Sequence, residues 1–387
     1  MADNKERSKR LKEIKKFNSK MYKQYEKDKR KKVVESDFVT TMKNKDNILE
    51  FDNLRTYFYT DAGTVKAVDG VSFDIPMGKT IGVVGESGCG KSVTSLSLMR
   101  LLQGPQGQIA GGSIRYNQKN KNRAVDIAKI SIKEMQKIRG NEIAMIFQEP
   151  MTTLNPVFTI GSQIDECIAL HNPGLNKKEI KKRSIDMLKL VGIARADGIY
   201  DSYPHELSGG MRQRVVIAMA LSCDPGLIIA DEPTTALDVT IQAQILDLLR
   251  DLKDKINASI MLITHDLGVV AEMADYVVVM YAGRVVEQGT AQEIFHQPMH
   301  PYTIGLMKSR PILNEEVERL YSIPGNVPNP INLPGHCYFK NRCERCMEKC
   351  NGAYPELINI TPTHKVSCYL YVDKSIHTKE SKIGGNK

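Results

Sequence analysis

The chain has 387 residues, of which 41% are hydrophobic and 26% are charged, so it is long enough for two or three domains with a sizeable core. It contains no run of about 18 apolar residues and starts without an apolar segment, which argues against a membrane span and a secretory signal. We therefore expect a cytosolic protein. Its formal net charge is +9.

The positive charge has one source, the N-terminal segment of residues 1–45. This segment holds 16 Lys and Arg against 7 Asp and Glu, while the rest of the chain is balanced. Mixed charges with few apolar residues are typical of a disordered or marginally helical segment. A solvated tail is the simplest interpretation, and attachment to anionic lipid headgroups or RNA is the functional alternative.

Ordered structure is expected from Asn47 onwards. Runs rich in β-branched and aromatic residues predict strands over 48–52, 54–59 and 65–75. Three neighbouring aromatic residues lie in this region: Tyr57, Phe58 and Tyr59. One of them can stack on a nucleotide base, although an aromatic residue in a strand more often belongs to the core.

The strongest signal in the chain is the phosphate-binding pattern G-x-x-x-x-G-K-[ST]. It follows an apolar run of the buried-strand type at 80–84 and precedes apolar residues at helical spacing. A strand, a glycine-rich turn and a helix N-terminus present backbone N–H groups to a phosphate. The lysine of this pattern reaches the β- and γ-phosphates, and the hydroxyl holds Mg²⁺. The residues are Gly85, Glu86, Ser87, Gly88, Cys89, Gly90, Lys91 and Ser92.

Three later apolar runs end in polar residues. The run 143–147 leads to Gln148, the run 227–232 ends in Asp231 and Glu232, and the run 260–263 leads to His265. In a P-loop protein the first acid of such a pair belongs to the Mg²⁺ shell, and the second can act as a general base towards water. His265 follows a parallel-type strand, at the end where α/β sites gather.

Helical signals dominate residues 151–225, and strands alternate with helices from 80 to 290. This alternation predicts an α/β fold with a parallel sheet. Within the helical region, Ser208 can cap a helix that starts with Gly209 and Gly210. Bare backbone at a helix N-terminus is a second potential phosphate site.

The eight cysteines fall into two groups. Three are scattered and are expected to be ordinary reduced thiols: Cys89, Cys167 and Cys223. In a cytosolic protein, crowding of the other five favours a metal or cluster site over disulfides. These five are Cys337, Cys343, Cys346, Cys350 and Cys368. Residues 373–387 are polar and are expected to fray.

Together these motifs resemble the ATP-binding subunit of an ABC transporter over about residues 47–370. The resemblance implies an α/β P-loop NTPase fold (the ABC ATPase) in residues 46–322. Such a domain has a RecA-like core, an antiparallel β subdomain and a helical subdomain, here at about 151–225. ATP and Mg²⁺ are the implied ligands.

The family's motifs assign a role to each matching position of this sequence. Residues 85–92 match Walker A, and the family places Mg²⁺ on Ser92, Gln148 and Asp231. The catalytic set is Glu232, His265 and Gln148. The signature that contacts the partner's ATP is Ser208, Gly209, Gly210 and Met211, with methionine where most members have glutamine. The D-loop is Ala236, Leu237 and Asp238. Phe58 matches the family's adenine-stacking aromatic residue best, although the neighbouring Tyr57 and Tyr59 make the alignment at this position ambiguous.

Four features are similar to those of oligopeptide/dipeptide importer ATPases: residues 148–156, the signature methionine, residues 300–303 and residues 323–328. That family carries four spaced cysteines in a small C-terminal regulatory domain, here residues 323–372. The resemblance implies a [4Fe–4S] cluster on Cys337, Cys343, Cys350 and Cys368. Zn²⁺ is the alternative, with Cys346 as a substitute ligand, and unliganded thiols remain a third interpretation. The basic N-terminus has no counterpart in the family.

Members of that family dimerise head to tail with a second ATPase, usually a paralogue. They work with two transmembrane permease subunits and an extracytoplasmic solute-binding protein, so the resemblance implies a peripheral protein on the cytoplasmic face of the cell membrane. It would power import of oligopeptides or dipeptides. A same-family importer of a nickel complex or other small solute is the alternative. A soluble ABC ATPase acting on nucleic acid or ribosomes is disfavoured, because such proteins commonly carry two cassettes or coiled-coil inserts, and no nucleic-acid partner is expected.

Overall fold

The computed structural model describes residues 2–118, 121–235, 238–309, 321–331 and 333–374. In these ranges the strands form two sheets. The smaller is antiparallel, with strand order β1-β6-β5-β2-β3. The predicted runs 48–52 and 54–59 form one long strand interrupted by bulges. The strands of this sheet are β1 (Val39–Thr40), β2 (Asn47–Thr60), β3 (Gly63–Pro76), β5 (Gly107–Gln118) and β6 (Arg123–Asp126).

The larger sheet has eight strands in the order β12-β13-β11-β10-β4-β9-β8-β7. Strands β10, β4, β9, β8 and β7 run parallel to one another, so their carboxyl ends meet at one edge. The predicted runs 80–84, 143–147, 227–232 and 260–263 are confirmed as strands of this parallel part. The strands are β4 (Thr80–Val84), β7 (Ile143–Ile146), β8 (Leu227–Asp231), β9 (Ser259–Ile263), β10 (Tyr276–Tyr281), β11 (Arg284–Thr290), β12 (Ile358–Asn359) and β13 (Lys365–Val366).

The helices surround these sheets and form a separate bundle between β7 and β8. Local sequence explains where several of them begin: Thr159 and Asn176 both accept backbone N–H bonds at helix starts, and Glu179 completes a capping box with Asn176. The helices are α1 (Ala2–Arg30), α2 (Glu35–Phe38), α3 (Lys91–Leu98), α4 (Ile132–Ile138), α5 (Pro150–Thr153), α6 (Ile160–His171), α7 (Lys177–Leu190), α8 (Ala196–Tyr200), α9 (Gly209–Leu221), α10 (Val239–Ile256), α11 (Leu267–Met273), α12 (Ala291–His296) and α13 (Pro301–Lys308).

The N-terminal segment, for which disorder or marginal helicity was expected, is helical. Residues 2–30 form helix α1, which packs against the end of β2. The Asn18 amide donates to the carbonyl of Thr60 at 3.0 Å, and the Tyr22 hydroxyl donates to the carbonyl of Tyr59 at 2.6 Å. The ring of Phe17 meets that of Tyr59 edge-on, with centroids 5.8 Å apart. A few well-placed side chains thus dock a helix whose composition alone favours disorder.

The C-terminal residues pack onto the larger sheet. Strand β13 pairs with β11, and β12 extends the sheet beyond it. Tyr338 and Phe339 join a core shared with Tyr281 and Tyr302. Hydrophobic burial therefore contributes to the stability of this Cys-rich segment. None of the helices in the described ranges is long and apolar enough to cross a membrane.

Candidate nucleotide-binding site

The loop between β4 and α3 depends on glycine at two close contacts. Gly85 has φ +150°, and a Cβ atom there would lie 2.2 Å from the carbonyl oxygen of Met280. Gly90 has φ +101°, and its Cβ atom would lie 2.3 Å from the carbonyl oxygen of Ala67. Any side chain at either position would collide with backbone, so these two glycines bring the loop against β10 and β3.

The lysine of the loop is buried and folds back onto it. The Lys91 ammonium donates to the carbonyl oxygens of Gly85 at 2.7 Å and Glu86 at 3.2 Å. Only 6% of Lys91 is exposed. Its charge is therefore held inside the loop, where a phosphate would lie.

The next residue joins the loop to β8. The Ser92 hydroxyl donates to the Asp231 carboxylate, with 3.0 Å between Oγ and Oδ1. Burial raises the pKa of Asp231 above its ordinary value, and the neighbouring Glu232 charge adds to this, whereas the Ser92 hydrogen bond and the Lys91 charge lower it. A hydroxyl and a poorly solvated carboxylate are oxygen donors that suit Mg²⁺.

Glu232 is the centre of a polar cluster at the carboxyl ends of three strands. Gln148, after β7, donates its amide to Glu232 Oε2 at 2.9 Å. The Thr235 hydroxyl donates to the same oxygen at 3.0 Å, and Nδ1 of His265, after β9, lies 3.3 Å from Oε1. The structure thus brings the three predicted catalytic residues together. Thr235 was not predicted.

The backbone at Glu232 is strained. Its φ is +49°, in the left-handed region that non-glycine residues seldom adopt. Its N–H donates to the carbonyl of Ile263 at 2.8 Å, which fixes the bend against β9. Such strain costs on the order of 1–3 kcal/mol and is concentrated at functional sites. No pattern in the sequence indicates it.

The predicted signature begins α9. The Ser208 hydroxyl accepts the N–H of Met211 at 3.3 Å and caps the helix. Ser208 and Gly209 are exposed, and a Cβ atom at Gly209 would meet nothing within 4 Å. At Gly210 a Cβ atom would lie 3.1 Å from Cγ2 of Ile241. The first turn of α9 therefore presents open backbone to solvent.

The predicted D-loop is only partly visible. Ala236 and Leu237 lie outside the described residues. Asp238 caps α10, because its carboxylate accepts the N–H of Ile241 at 2.9 Å.

The three aromatic residues of β2 have different surroundings. The Tyr57 hydroxyl donates to Asp69 at 2.6 Å, and burial together with the Asp69 carboxylate raises the pKa of Tyr57. Tyr59 is buried beneath α1. Phe58 points to the opposite face of the strand and is half-buried. Both tyrosines are therefore engaged elsewhere, which leaves Phe58 as the candidate for base stacking.

A model of the ABC transporter family matches residues 68–235, and one of the oligopeptide/dipeptide transporter C-terminal region matches residues 286–350. The oligopeptide transport ATP-binding protein AppD of Bacillus subtilis (strain 168) is 52% identical over 327 residues, which are 84% of this chain and 98% of AppD. This chain belongs to the ATP-binding proteins of the ABC transporter family. Its branch is that of the oligopeptide/dipeptide transporters, as the resemblance implied.

Further comparisons agree. The dipeptide transport ATP-binding protein DppD of Bacillus subtilis (strain 168) is 49% identical over 332 residues, covering 86% of this chain and 97% of DppD. The dimeric structure of MJ0796, a bacterial ABC transporter cassette, matches with a TM-score of 0.55 at 25% identity, over 63% of this chain and 98% of that one. CbiO1 from Clostridium perfringens matches with a TM-score of 0.54 at 29% identity, over 65% and 92%. These findings confirm the predicted ABC ATPase fold and the assignment as an ATPase.

The C-terminal segment of this ABC ATPase contacts the nucleotide loop at two points, neither of which was predicted. The Tyr302 hydroxyl accepts the N–H of Glu86 at 2.8 Å. The Arg342 guanidinium donates to both carboxylate oxygens of Glu86, at 2.7 and 2.9 Å. These residues lie more than 200 positions apart in sequence, so only the fold reveals the contacts.

Four cysteines of the C-terminal segment line one small cavity of about 10 Å³. They are the four of the family spacing, Cys337, Cys343, Cys350 and Cys368. Burial raises the pKa of Cys337 and of Cys368 to about 11, so both are neutral thiols at pH 7 in the absence of a metal. Cys346 is exposed and does not line the cavity. In the described ranges, no group of three or more His, Cys, Asp or Glu is arranged so that it could hold a metal ion.

Proposed function

We propose that this chain is the ATP-hydrolysing subunit that powers import of oligopeptides or dipeptides through an ABC transporter. The observation that carries the hydrolytic role is the cluster around Glu232, the residue after Asp231, whose carboxylate is hydrogen-bonded to Ser92 of the glycine-rich loop. The relatives AppD and DppD are named as oligopeptide and dipeptide transport proteins, and both match over most of this chain.

The residues of the loop and of β8 would bind the nucleotide. The Lys91 ammonium exchanges the carbonyls of Gly85 and Glu86 for the β- and γ-phosphate oxygens, which are the stronger acceptors because they are charged. Mg²⁺, when bound, neutralises charge on the same phosphates. Ser92, Asp231 and Gln148 would hold it: Ser92 is hydrogen-bonded to Asp231, and Gln148 is hydrogen-bonded to the next residue, Glu232.

The hydrolytic step would rely on Glu232. Its carboxylate is anchored by Gln148 and Thr235 on one oxygen, while the other faces His265. An anchored carboxylate can orient a water molecule towards the γ-phosphate and accept its proton. His265 would contact the γ-phosphate, and this contact would be lost on hydrolysis.

A second ATPase subunit would complete each site. We infer that the exposed signature, Ser208, Gly209, Gly210 and Met211, contacts the nucleotide held by the partner, and that Asp238 lies at the same interface. The exposed first turn of α9 supports this, because free N–H groups at a helix N-terminus attract phosphate. The partner is proposed to be a paralogue.

The permease subunits would dock on the segment that follows Gln148. Two large apolar side chains are exposed there, Val157 by 70% and Phe158 by 54%, and Phe147, directly before Gln148, is exposed by 38%. Adjacent exposed apolar side chains such as Val157 and Phe158 are typical of an interaction surface. The chain would then lie on the cytoplasmic face of the membrane, with a solute-binding protein on the other side.

The assignment is tested with Glu232→Gln in membrane vesicles that contain the partner subunits. Glutamine keeps the shape of the side chain but accepts no proton, so ATP hydrolysis should fall about 10²–10⁴-fold. ATP binding should persist, and the ATP-dependent dimer should become easier to detect. Wild-type turnover in this variant would contradict the role of Glu232. If added peptide does not stimulate ATP hydrolysis by the wild-type transporter, peptide import is contradicted.

We also propose that Cys337, Cys343, Cys350 and Cys368 hold a metal centre, a [4Fe–4S] cluster as the family resemblance implies or Zn²⁺ as the alternative. The convergence of these four thiols on one cavity supports it, and the exclusion of Cys346 matches the family spacing. The donor set suits either metal. A cavity of about 10 Å³ holds about one water molecule, so a cluster requires the thiols to move apart.

Anaerobic purification with metal analysis distinguishes the alternatives. A cluster gives brown protein with about four iron atoms per chain, and Zn²⁺ gives colourless protein with about one. Cys350→Ser should lose the metal, whereas the control Cys346→Ser should retain it. Fully active protein that contains no metal would contradict the proposed metal site.

A further inference from the structure

Arg342 connects the Cys-rich segment to the nucleotide loop. It ends a short 3₁₀ turn, Lys340–Arg342, directly before Cys343. Its side chain is 5% exposed, and it forms a bidentate ion pair with Glu86 at 2.7 and 2.9 Å. Fork-to-fork pairs of this kind are strong and fix the relative orientation of both groups.

The rest of the guanidinium is held by the C-terminal region. Nε donates to the carbonyl of Pro324 at 2.8 Å, and Nη2 donates to that of Ile323 at 3.2 Å. Nη1 also lies 3.4 Å from the Tyr281 hydroxyl. Arg342 is therefore rigid, and its position follows the backbone of the segment that carries it.

Glu86 places a negative charge in a loop that is proposed to bind a polyanion. Its carboxylate is 28% exposed, and its carbonyl oxygen accepts a bond from Lys91. An uncompensated negative charge there would repel the phosphates of ATP, since like charges at short range disfavour each other. The Arg342 guanidinium cancels that charge.

We propose that Arg342 is a positioning residue for ATP binding: it neutralises and holds Glu86, and it makes ATP affinity depend on the arrangement of segment 337–343. The proposal rests on the ATP binding assigned above. A change in the cysteine cavity that moves Cys343 would move Arg342, release Glu86, and weaken nucleotide binding. Coupling of this kind between two sites is typically 5–150-fold in affinity.

The test measures the Kd of MgATP by calorimetry on the full chain. Arg342→Gln leaves the Glu86 charge uncompensated, so the Kd should rise about tenfold, with kcat nearly unchanged in the assembled transporter. Glu86→Gln leaves the Arg342 cation without its partner beside the phosphates, so the Kd should fall below that of wild type. The double variant should return to within about twofold of the wild-type Kd, because the repulsion needs Glu86. High salt should reduce the effect of Arg342→Gln.

This rescue separates positioning from stability. A merely structural Arg342 would lower the melting temperature in the single and double variants alike and would leave the Kd of the folded fraction unchanged. If Arg342→Gln fails to fold, Arg342→Lys keeps the charge and should show an intermediate Kd. The matched control is Arg115→Gln, which breaks a 2.7 Å ion pair with Asp52 in the smaller sheet and should not change the Kd.

Two results would overturn the proposal: an unchanged Kd in folded Arg342→Gln, or a double variant as weak as the single one. Binding of MgATP by the wild type, with Lys91→Ala as the non-binding reference, tests the proposed function separately. The link to the cysteines is tested with Cys343→Ser against Cys346→Ser. Only the first should raise the Kd, and it should not do so in a Glu86→Gln background. Equal effects of Cys343→Ser in both backgrounds would refute the link.

Discussion

Asp231 and Glu232 are neighbours in sequence but have different physical tasks. Asp231 ends the buried strand β8 and is 7% exposed, so its charge is poorly solvated. Glu232 turns out of the strand through a left-handed backbone and meets three polar side chains. The strained turn separates the two carboxylates, as the proposed division of roles between Mg²⁺ and water requires.

The burial of Asp231 predicts a gain in stability when its charge is removed. Its folded pKa is raised, mainly by burial, so the folded chain binds more protons than the unfolded chain between the ordinary pKa of 3.8 and the raised value. The charged side chain therefore destabilises the fold at neutral pH, and this penalty shrinks as the pH falls through the raised pKa and is gone below 3.8. Asp231→Asn should be more stable than wild type at pH 7 by about 1 kcal/mol.

Thermal unfolding without nucleotide checks this. A stabilisation of that size raises the melting temperature by about 2–4 °C for a domain of this kind. The difference should shrink towards pH 4, and Mg²⁺-dependent ATP hydrolysis should be lost. The control Asp201→Asn removes an exposed carboxylate and should change neither property. A less stable Asp231→Asn at pH 7 would mean that the carboxylate is stabilised by its hydrogen bond rather than penalised by burial.

At the scale of elements, the sequence was most informative about structure that a single strand or loop determines. The run 80–84 became β4 with the same bounds, because a fully buried parallel strand must be continuously apolar. The convergence of Gln148, Glu232 and His265 was also foreseeable, since carboxyl ends of parallel strands share an edge. Three features could not be predicted, because each depends on local strain or on the packing of distant parts of the chain. They are the left-handed backbone of Glu232, its hydrogen bond with Thr235 and the ion pair between Glu86 and Arg342.

Helix α9 offers a prediction because its first residue, Gly209, lies in open space. A Cβ atom at Gly209 meets nothing within 4 Å, so Gly209→Ala should leave the melting temperature within about 1 °C of wild type. The same methyl group would stand between the exposed N–H groups and a partner's nucleotide. ATPase activity of the assembled transporter should therefore fall at least tenfold.

Gly174→Ala is the matched control, because a Cβ atom there also meets nothing within 4 Å and the residue lies outside the signature. It should keep both stability and activity. Gly85→Ala should instead disturb the fold locally, through the 2.2 Å contact with Met280. Full activity in Gly209→Ala would argue against the signature facing a partner's nucleotide.

Considering the whole molecule, both ends of the described chain contact the framework of the nucleotide site. The C-terminal segment reaches Glu86 through Arg342 and Asp69 through Tyr338, at 3.0 Å. Helix α1 covers Tyr59, next to Phe58. Composition could not reveal either contact. The first depends on a cysteine-rich segment packing against a sheet more than 200 residues away, and the second on three side chains in a highly charged helix.

Docking of α1 predicts protection from proteolysis. The helix is rich in Lys and Arg. Three of them lie in its last turn, where a positive charge interacts favourably with the helix dipole: Lys27, Lys29 and Arg30. A disordered tail of this composition would be cut by trypsin at once, whereas a docked helix is cut only when it opens. Tyr22→Phe removes the 2.6 Å bond to the carbonyl of Tyr59. It should cost about 1 kcal/mol of docking free energy and speed cleavage in α1 about fivefold.

Limited trypsin digestion followed by mass spectrometry measures those rates, with Tyr203→Phe as control because Tyr203 is 40% exposed and lies far from α1 in the chain. Cleavage elsewhere should be unaffected in both variants, since global stability is set by the sheets. If α1 stays attached through its contacts with Tyr59 and Thr60, the order of cleavage rates will be Tyr22→Phe above wild type, with Tyr203→Phe equal to wild type. Instant cleavage of α1 in all three proteins would show that these contacts are too weak to hold the helix, and that the basic segment is a solvated tail after all.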